Sequence, residues 1–210
     1  MPDTPKRKND PEGLKRRILD SALAAFAESG MQGARLEQIA ALAATTKRMV
    51  VYHFGNKERL YIAVLEDVYQ HIRQHEIALN LSALPPIAAM QRLVEASFDY
   101  HAAHPDMMRV ICSENLLRGR YISQSSHIQG LNRSALDLLA SVLARGQQSG
   151  DFRHDLATLE VHRLISSLCF HHVSNRYTFN TLFAGDQPDR QLVAQNRQLA
   201  VTATLRFVCR

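Results

Sequence analysis

The chain has 210 residues, of which 46% are hydrophobic and 21% charged, and its formal net charge is +5. That length is enough for one large domain or two modest ones, and no apolar run is long enough to span a bilayer. The polar start MPDTPKRKNDPEG lacks the apolar middle of a secretory signal, and Cys112, Cys169 and Cys209 are scattered without zinc or disulfide spacing. The cysteines read as small buried hydrophobes in a reducing cytosol.

Residues 1–10 are expected to form a flexible basic arm. A first helix begins at Pro11, buries Leu14, Ile18, Leu19, Ala22, Leu23 and Phe26 at three- and four-residue spacing, and stops at Gly30. LEQIAALAA forms a short second helix. Thr45 or Thr46 caps a third that starts at Lys47 and ends at Gly55, and Asn56 caps a fourth. The stripe Leu60, Val64, Leu65, Val68, Ile72 and Leu79 carries the fourth helix to about Asn80. LPP at 84–86 opens a fifth helix with Leu93, Val94 and Phe98 inward, and the His-Pro pair at 104–105 separates it from a short sixth. A seventh covers about 125–148 before Gly150, an eighth 156–179, and a ninth 190–209 after the loop FAGDQPD.

Charge is unevenly placed along these elements. Residues 1–60 hold 11 lysines and arginines against 7 acidic residues, the remainder 14 against 13, and no lysine follows Lys57. The first quarter is thus the end expected to face a polyanion, although a solvated basic face accounts for the charge equally well.

Only ATT separates the second and third helices, which is helix-turn-helix spacing. In that motif the later helix enters the major groove of DNA with its N-terminal side chains foremost. Thr45 and Thr46 place hydroxyls at the helix start, where they cap or meet phosphate. Lys47 and Arg48 add flexible donors beside the positive end of the helix dipole. Met49, Val50 and Phe54 form the packing face. Tyr52 and His53 carry donors on flat rings, and Lys57 stands at the start of the next helix, where it reaches a phosphate.

Residues 14–65 resemble the DNA-binding domain of the TetR family of bacterial one-component regulators, through the run IAALAATTKRMVVYHFGNKERLY. The resemblance implies an all-α protein: a helix-turn-helix domain at 11–56, then a larger helical domain at 57–210 for effector binding and dimerisation. Two positions depart from the family pattern. Ala43-Ala44 replaces Ala-Gly before the turn, so this backbone is expected to need no positive φ. Arg35 stands where Thr or Ser opens the second helix; it reads as a DNA contact or as a solvated surface arginine.

What the resemblance implies for the rest is an unknown small-molecule effector, a palindromic double-stranded operator and a homodimer, in the cytoplasm and without a membrane partner. Tyr100, His101, His104, Asn115, Arg118, Tyr121, His171, Asn175 and Arg176 supply the polar side of an effector pocket, with Arg118 and Arg176 meeting an anionic ligand or serving surface and interface roles. Leu164, Leu168, Leu192, Leu199 and Leu205 form a dimer interface or complete the protomer's own core.

No metal is expected. Adjacent His171 and His172 point about 100° apart on a helix, and His101 and His104 have no carboxylate or thiol spaced to join them. No cofactor or enzyme activity is expected either: the chain has no phosphate-cradling glycine loop, no Gly-x-Ser-x-Gly and no His-Glu-x-x-His. The expected function is a repressor released from its operator by a small molecule. A constitutive DNA-packaging protein and a small-molecule-binding enzyme are the rival classes.

Overall fold

The computed structural model describes residues 10–185 and 188–210, so the arm expected at 1–10 lies outside them apart from Asp10. All regular structure among the described residues is helical, with one isolated bridge between Phe152 and Cys209. Ten α-helices follow in order: α1 Pro11–Gly33, α2 Leu36–Leu42, α3 Lys47–Phe54, α4 Lys57–Ile77, α5 Pro86–Ala103, α6 Pro105–Leu116, α7 Ser126–Ser149, α8 Thr158–Ser174, α9 Arg176–Phe179 and α10 Asp189–Val208. The chain divides into two compact units between Val64 and Leu65.

The first unit holds α1 to α3 and the first two turns of α4. Asp10 caps α1 by accepting the Gly13 amide at 2.9 Å. Gly30, at φ +67°, breaks the helical run, as glycine does without steric cost. Ile18, Ala22 and Phe26 of α1, Ile39 and Ala40 of α2, Val50 and Phe54 of α3, and Leu60 and Tyr61 of α4 are buried together as its core. Phe26 and Tyr61 meet edge-on with centroids 4.9 Å apart. Such aromatic pairs add to stability beyond the area they bury. The burial of Leu60, Tyr61 and Val64 explains why the compact unit extends past the start of α4, which the sequence reading took as the division.

The second unit is built on α5, α7, α8 and α10. Leu93, Val94 and Phe98 of α5 pack with Leu139 and Val142 of α7, Val161 and Ile165 of α8, and Val201 and Val208 of α10. Arg145 of α7 holds the 3-10 turn Leu81–Ala83 by donating to the carbonyls of Leu81 and Leu84 at 2.9 and 2.8 Å. Arg197 of α10 grips Asp99 of α5 through two bonds of 2.7 and 3.0 Å. Gly146 leaves room for Phe152, whose ring would lie 2.0 Å from an added Cβ.

Two differences from the sequence reading have local causes. The eighth helix does not run to 179: it breaks at Asn175, and α9 is a separate four-residue piece followed by a π turn at Asn180–Ala184. Polar side chains compete with the helix there, with Asn175 donating to Ser174 Oγ at 2.8 Å and Thr178 Oγ1 to the Asn175 carbonyl at 3.1 Å. The turn before α3 also corrects an expectation. Ala44 has φ +51°, so the backbone does take the left-handed form that glycine favours, with an alanine in it. The Thr45 amide nevertheless closes the turn on the Ala40 carbonyl at 2.9 Å.

Left-handed geometry costs an L-residue about 1–2 kcal/mol, and glycine loses about 0.5–1 kcal/mol in chain entropy. Ala44→Gly is therefore expected to stabilise the protein by roughly 0.5–1 kcal/mol and raise its calorimetric midpoint by about 2 °C. An unchanged or lower midpoint would mean that the turn carries no such strain.

Candidate nucleic-acid interface and ligand cavity

Thr46 holds the N-terminus of α3, its Oγ1 accepting the Met49 amide at 3.3 Å. Val50 and Phe54 lie four apart and are buried, which turns the opposite side of the helix outward. On that side Arg48 and Tyr52 are exposed, Tyr52 at 78%, and Lys47 and Val51 are exposed at its flank. Arg48 and Tyr52, one turn apart, share a face. Val51 was missed by the sequence reading. Its signal was its place next to a buried valine, about 100° round the helix from it, and an apolar side chain there suits a thymine methyl.

The other expected DNA contacts are partly engaged within the unit. Lys47 Nζ lies 2.8 Å from Glu37 Oε1 and ties α3 to α2; the ammonium holds the Glu37 carboxyl below its ordinary range. Both side chains are more than half exposed, so the pair is open to competition by solvent, salt and phosphate. Lys57 is half-buried, and its ammonium donates to the carbonyls of Gln32 and Ala34 at 3.3 and 3.1 Å. It straps the α1–α2 connection to α4 and keeps a third N–H. His53 is half-buried, with Nε2 closed off and without a partner, and its ring stands edge-on to Tyr52 at 5.2 Å. Thr45 is half-buried, and Arg35 is exposed at the start of α2 without a side-chain capping bond.

In the second unit a cavity of about 530 Å³ opens among α4 to α8. That volume suits a small organic molecule. Leu93, Met108, Ile111, Leu139, Ile165 and Phe170 give it an apolar lining, and Arg73, Glu76, His101, Asn115, Asn132 and His162 its polar points. Of the expected ligand residues the cavity takes His101 and Asn115. Tyr100 and His104 instead stack on each other at 4.1 Å, with Tyr100 donating to Met107 Sδ at 3.6 Å. Arg118 is exposed in the left-handed turn after α6, and Tyr121 is buried with its amide on Glu114 Oε1 at 2.7 Å.

His171, Asn175 and Arg176 line a separate hollow of about 200 Å³ beside α10, where Arg176 is ion-paired with Asp189. The sequence reading missed Tyr69, Arg73 and Glu76 because it followed only the apolar stripe of the fourth helix. Their spacing of four and three was the signal, placing them on one helical face.

Burial governs the charges of this cavity. It pushes the His101 imidazole down to about 4, lowers His162, raises Glu76, and pushes the Cys169 thiol up to about 12. No group of three or more His, Cys, Asp or Glu side chains stands in metal-holding proximity among the described residues. No helix among them is long and apolar enough to cross a membrane.

Of the five leucines expected at a dimer interface, Leu199 is exposed and Leu164 and Leu192 are half-buried, while Leu168 and Leu205 pack against the protomer's own core. Leu159, Tyr177, Phe179, Leu182, Phe183 and Phe207 add further exposed apolar surface from α8 onward.

Comparison with known proteins matches the two parts of the chain separately. Residues 18–64 match the family model for bacterial regulatory proteins of the tetR family, and residues 86–203 that for the tetracyclin repressor-like C-terminal domain. The HTH-type transcriptional repressor NicS of Pseudomonas putida is 36% identical over 177 residues, which is 84% of each chain. The HTH-type transcriptional regulator RutR of Escherichia coli K12 is 30% identical over 147 residues, covering 70% of this chain and 68% of that one. The structure of the ketosteroid transcriptional regulator KstR2 of Mycobacterium tuberculosis superposes with a TM-score of 0.67 at 22% identity, covering 97% of both chains, and shares the fold.

Desolvation of the half-buried His101 makes stability depend on pH. Its folded value lies below the ordinary 6.5, so the unfolded chain binds a proton that the folded chain refuses as pH falls through that interval. The stabilisation is present above 6.5 and is lost toward 4. Urea unfolding at pH 7 and pH 5 should show a loss of about 2 kcal/mol from this group. His101→Gln should reduce the loss by that amount. An equal pH dependence in the variant would mean that His101 titrates normally.

Proposed function

The chain belongs to the TetR family of bacterial regulatory proteins, and from that premise we propose that two copies act together as a repressor on a palindromic operator. It is a ligand-responsive DNA-binding transcriptional regulator, as the family and its repressor relatives are. The observation that carries the finer reading is the two-sided α3. Val50 and Phe54 anchor one side, while Arg48, Val51 and Tyr52 stand free on the other.

In this reading α3 enters the major groove. Arg48 and Lys47 meet base edges or phosphates, Tyr52 donates to phosphate, and Thr46 holds the helix start in place. Arg35 and Lys57 add backbone contacts, Lys57 through the N–H that the carbonyls of Gln32 and Ala34 leave free. Thr45 and His53 support the reading helix from behind. The exposed apolar side chains on α8 to α10 form the seam between two copies, with Leu199 near its centre. Twofold symmetry then sets the two reading helices about 34–36 Å apart, or somewhat more, on successive grooves.

The effector occupies the cavity of the second unit. Four of its lining residues, Tyr69, Ile72, Arg73 and Glu76, belong to α4, whose first two turns belong to the DNA-reading unit. A ligand that binds one setting of α4 more tightly shifts the population toward it, by no more than that difference in affinity. When the favoured setting holds the two reading helices off groove spacing, the operator is released.

A footprint on the DNA upstream of the protein's own gene tests the reading. The expected result is one palindromic protected site. Arg48→Ala and Tyr52→Ala should each weaken it about ten-fold or more, and Leu199→Arg should give monomers with little protection. Salt-sensitive coating with no preferred site would favour a packaging protein, and the absence of DNA affinity would sink the regulator.

A further inference from the structure

The polar end of the cavity is unbalanced in a way that describes its occupant. Arg73 is only 8% exposed. A guanidinium carries five N–H donors and keeps its charge at any physiological pH. Glu76 Oε2, 2.8 Å from Nη1, is its ion-pair partner, and Nε is buried with no acceptor. A buried donor without an acceptor is costly, so such a group marks a place where something is bound.

Among the neighbouring groups only Glu76 meets this charge, and it does so at Nη1. His101 and His162 are held toward neutral imidazole by burial, and Tyr69 and Cys169 toward their protonated forms, so none of these four supplies an anion. Glu76 engages Nη1 alone, so the pairing leaves Nε of the guanidinium without an acceptor. The lining elsewhere is aliphatic and aromatic, with Leu93, Met108, Ile111, Leu139 and Phe170. With Glu76 at Nη1, the Nε edge of the planar fork is left for a second acceptor, and a carboxylate fits such an edge in two-point contact.

We propose that the effector is a small carboxylic acid with an apolar body, its carboxylate accepting hydrogen bonds from Arg73 and its body lying against the lining of α5 to α8. This rests on the cavity being the effector site. Asn115, Asn132 and Ser166 then meet secondary polar groups of the molecule, and His101, neutral, offers a ring nitrogen to a donor on it.

The test uses the full-length protein and matched pairs of probes: benzoate with benzamide, phenylacetate with phenylacetamide, octanoate with octanamide. Calorimetry is expected to show at least one acid binding about ten-fold or more tightly than its amide. Arg73→Met should abolish that preference while leaving the amide's Kd within about two-fold, because the amide keeps only the contacts that do not need the charge. Since R73M alone strands the buried Glu76 without its partner, R73M/E76M is measured beside it, with helical content checked by circular dichroism. Leu139→Trp, which fills the cavity, should remove binding of acid and amide alike.

Equal affinity of every acid and its amide, an acid preference that survives in both Arg73 variants, or no binding by any acid overturns the proposal. The operator footprint without probe is recorded for the same preparations. Its absence would count against the regulator reading, whereas an intact footprint with no acid preference would count against the carboxylate alone.

Discussion

One helix has to satisfy two cores. The start of α4 buries Leu60, Tyr61 and Val64 with the helices of the DNA-reading unit, and its continuation buries Leu65, Val68 and Ile72 in the unit that holds the cavity. A helix presents a given face once every 3.6 residues, so a substitution that changes its register disturbs both cores together. Its N-terminal residue, Lys57, is fastened to the carbonyls of Gln32 and Ala34, and a later turn supplies Arg73 to the cavity wall. The two compact units therefore share one covalently continuous element.

The reading helix illustrates how a small domain presents polar donors without losing its core. Only eight residues long, α3 makes its interior from Val50 and Phe54 and closes its ends with Thr46 and Gly55. Isolated helices of that length are not stable in water, so packing and capping hold it. The exposed side chains owe nothing to stability and are free to serve a partner. Lys47 is intermediate: its pairing with Glu37 links α2 to α3 and yet leaves both groups in solvent, where a phosphate competes on even terms.

The cavity follows a different rule. Most of its polar groups are half-buried, and desolvation shifts His101 and His162 down and Glu76 and Tyr69 up. Arg73 stands apart through its contacts: it is buried, Glu76 meets it at Nη1, and its Nε has no acceptor.

Periodicity alone located the helices to within a few residues, because a 3.6-residue repeat of Leu, Val and Phe has no other stable arrangement in a chain this poor in strand signals. The helix-turn-helix, its capping Thr46 and its outward Arg48 and Tyr52 were legible for the same reason: they depend on spacing within one short segment. What the sequence left open depends on neighbours far apart in the chain. Nothing in the sequence singles out Arg73, which the fold buries in the cavity wall, and Tyr100 and His104 read as pocket residues until they stack on each other instead. Ala44 reads as an ordinary alanine until the turn closes and forces φ positive. Local pattern determined which helices form and which face each one buries; tertiary packing decided which polar groups share an enclosed space, since desolvation depends on what covers a side chain and not on its place in the sequence.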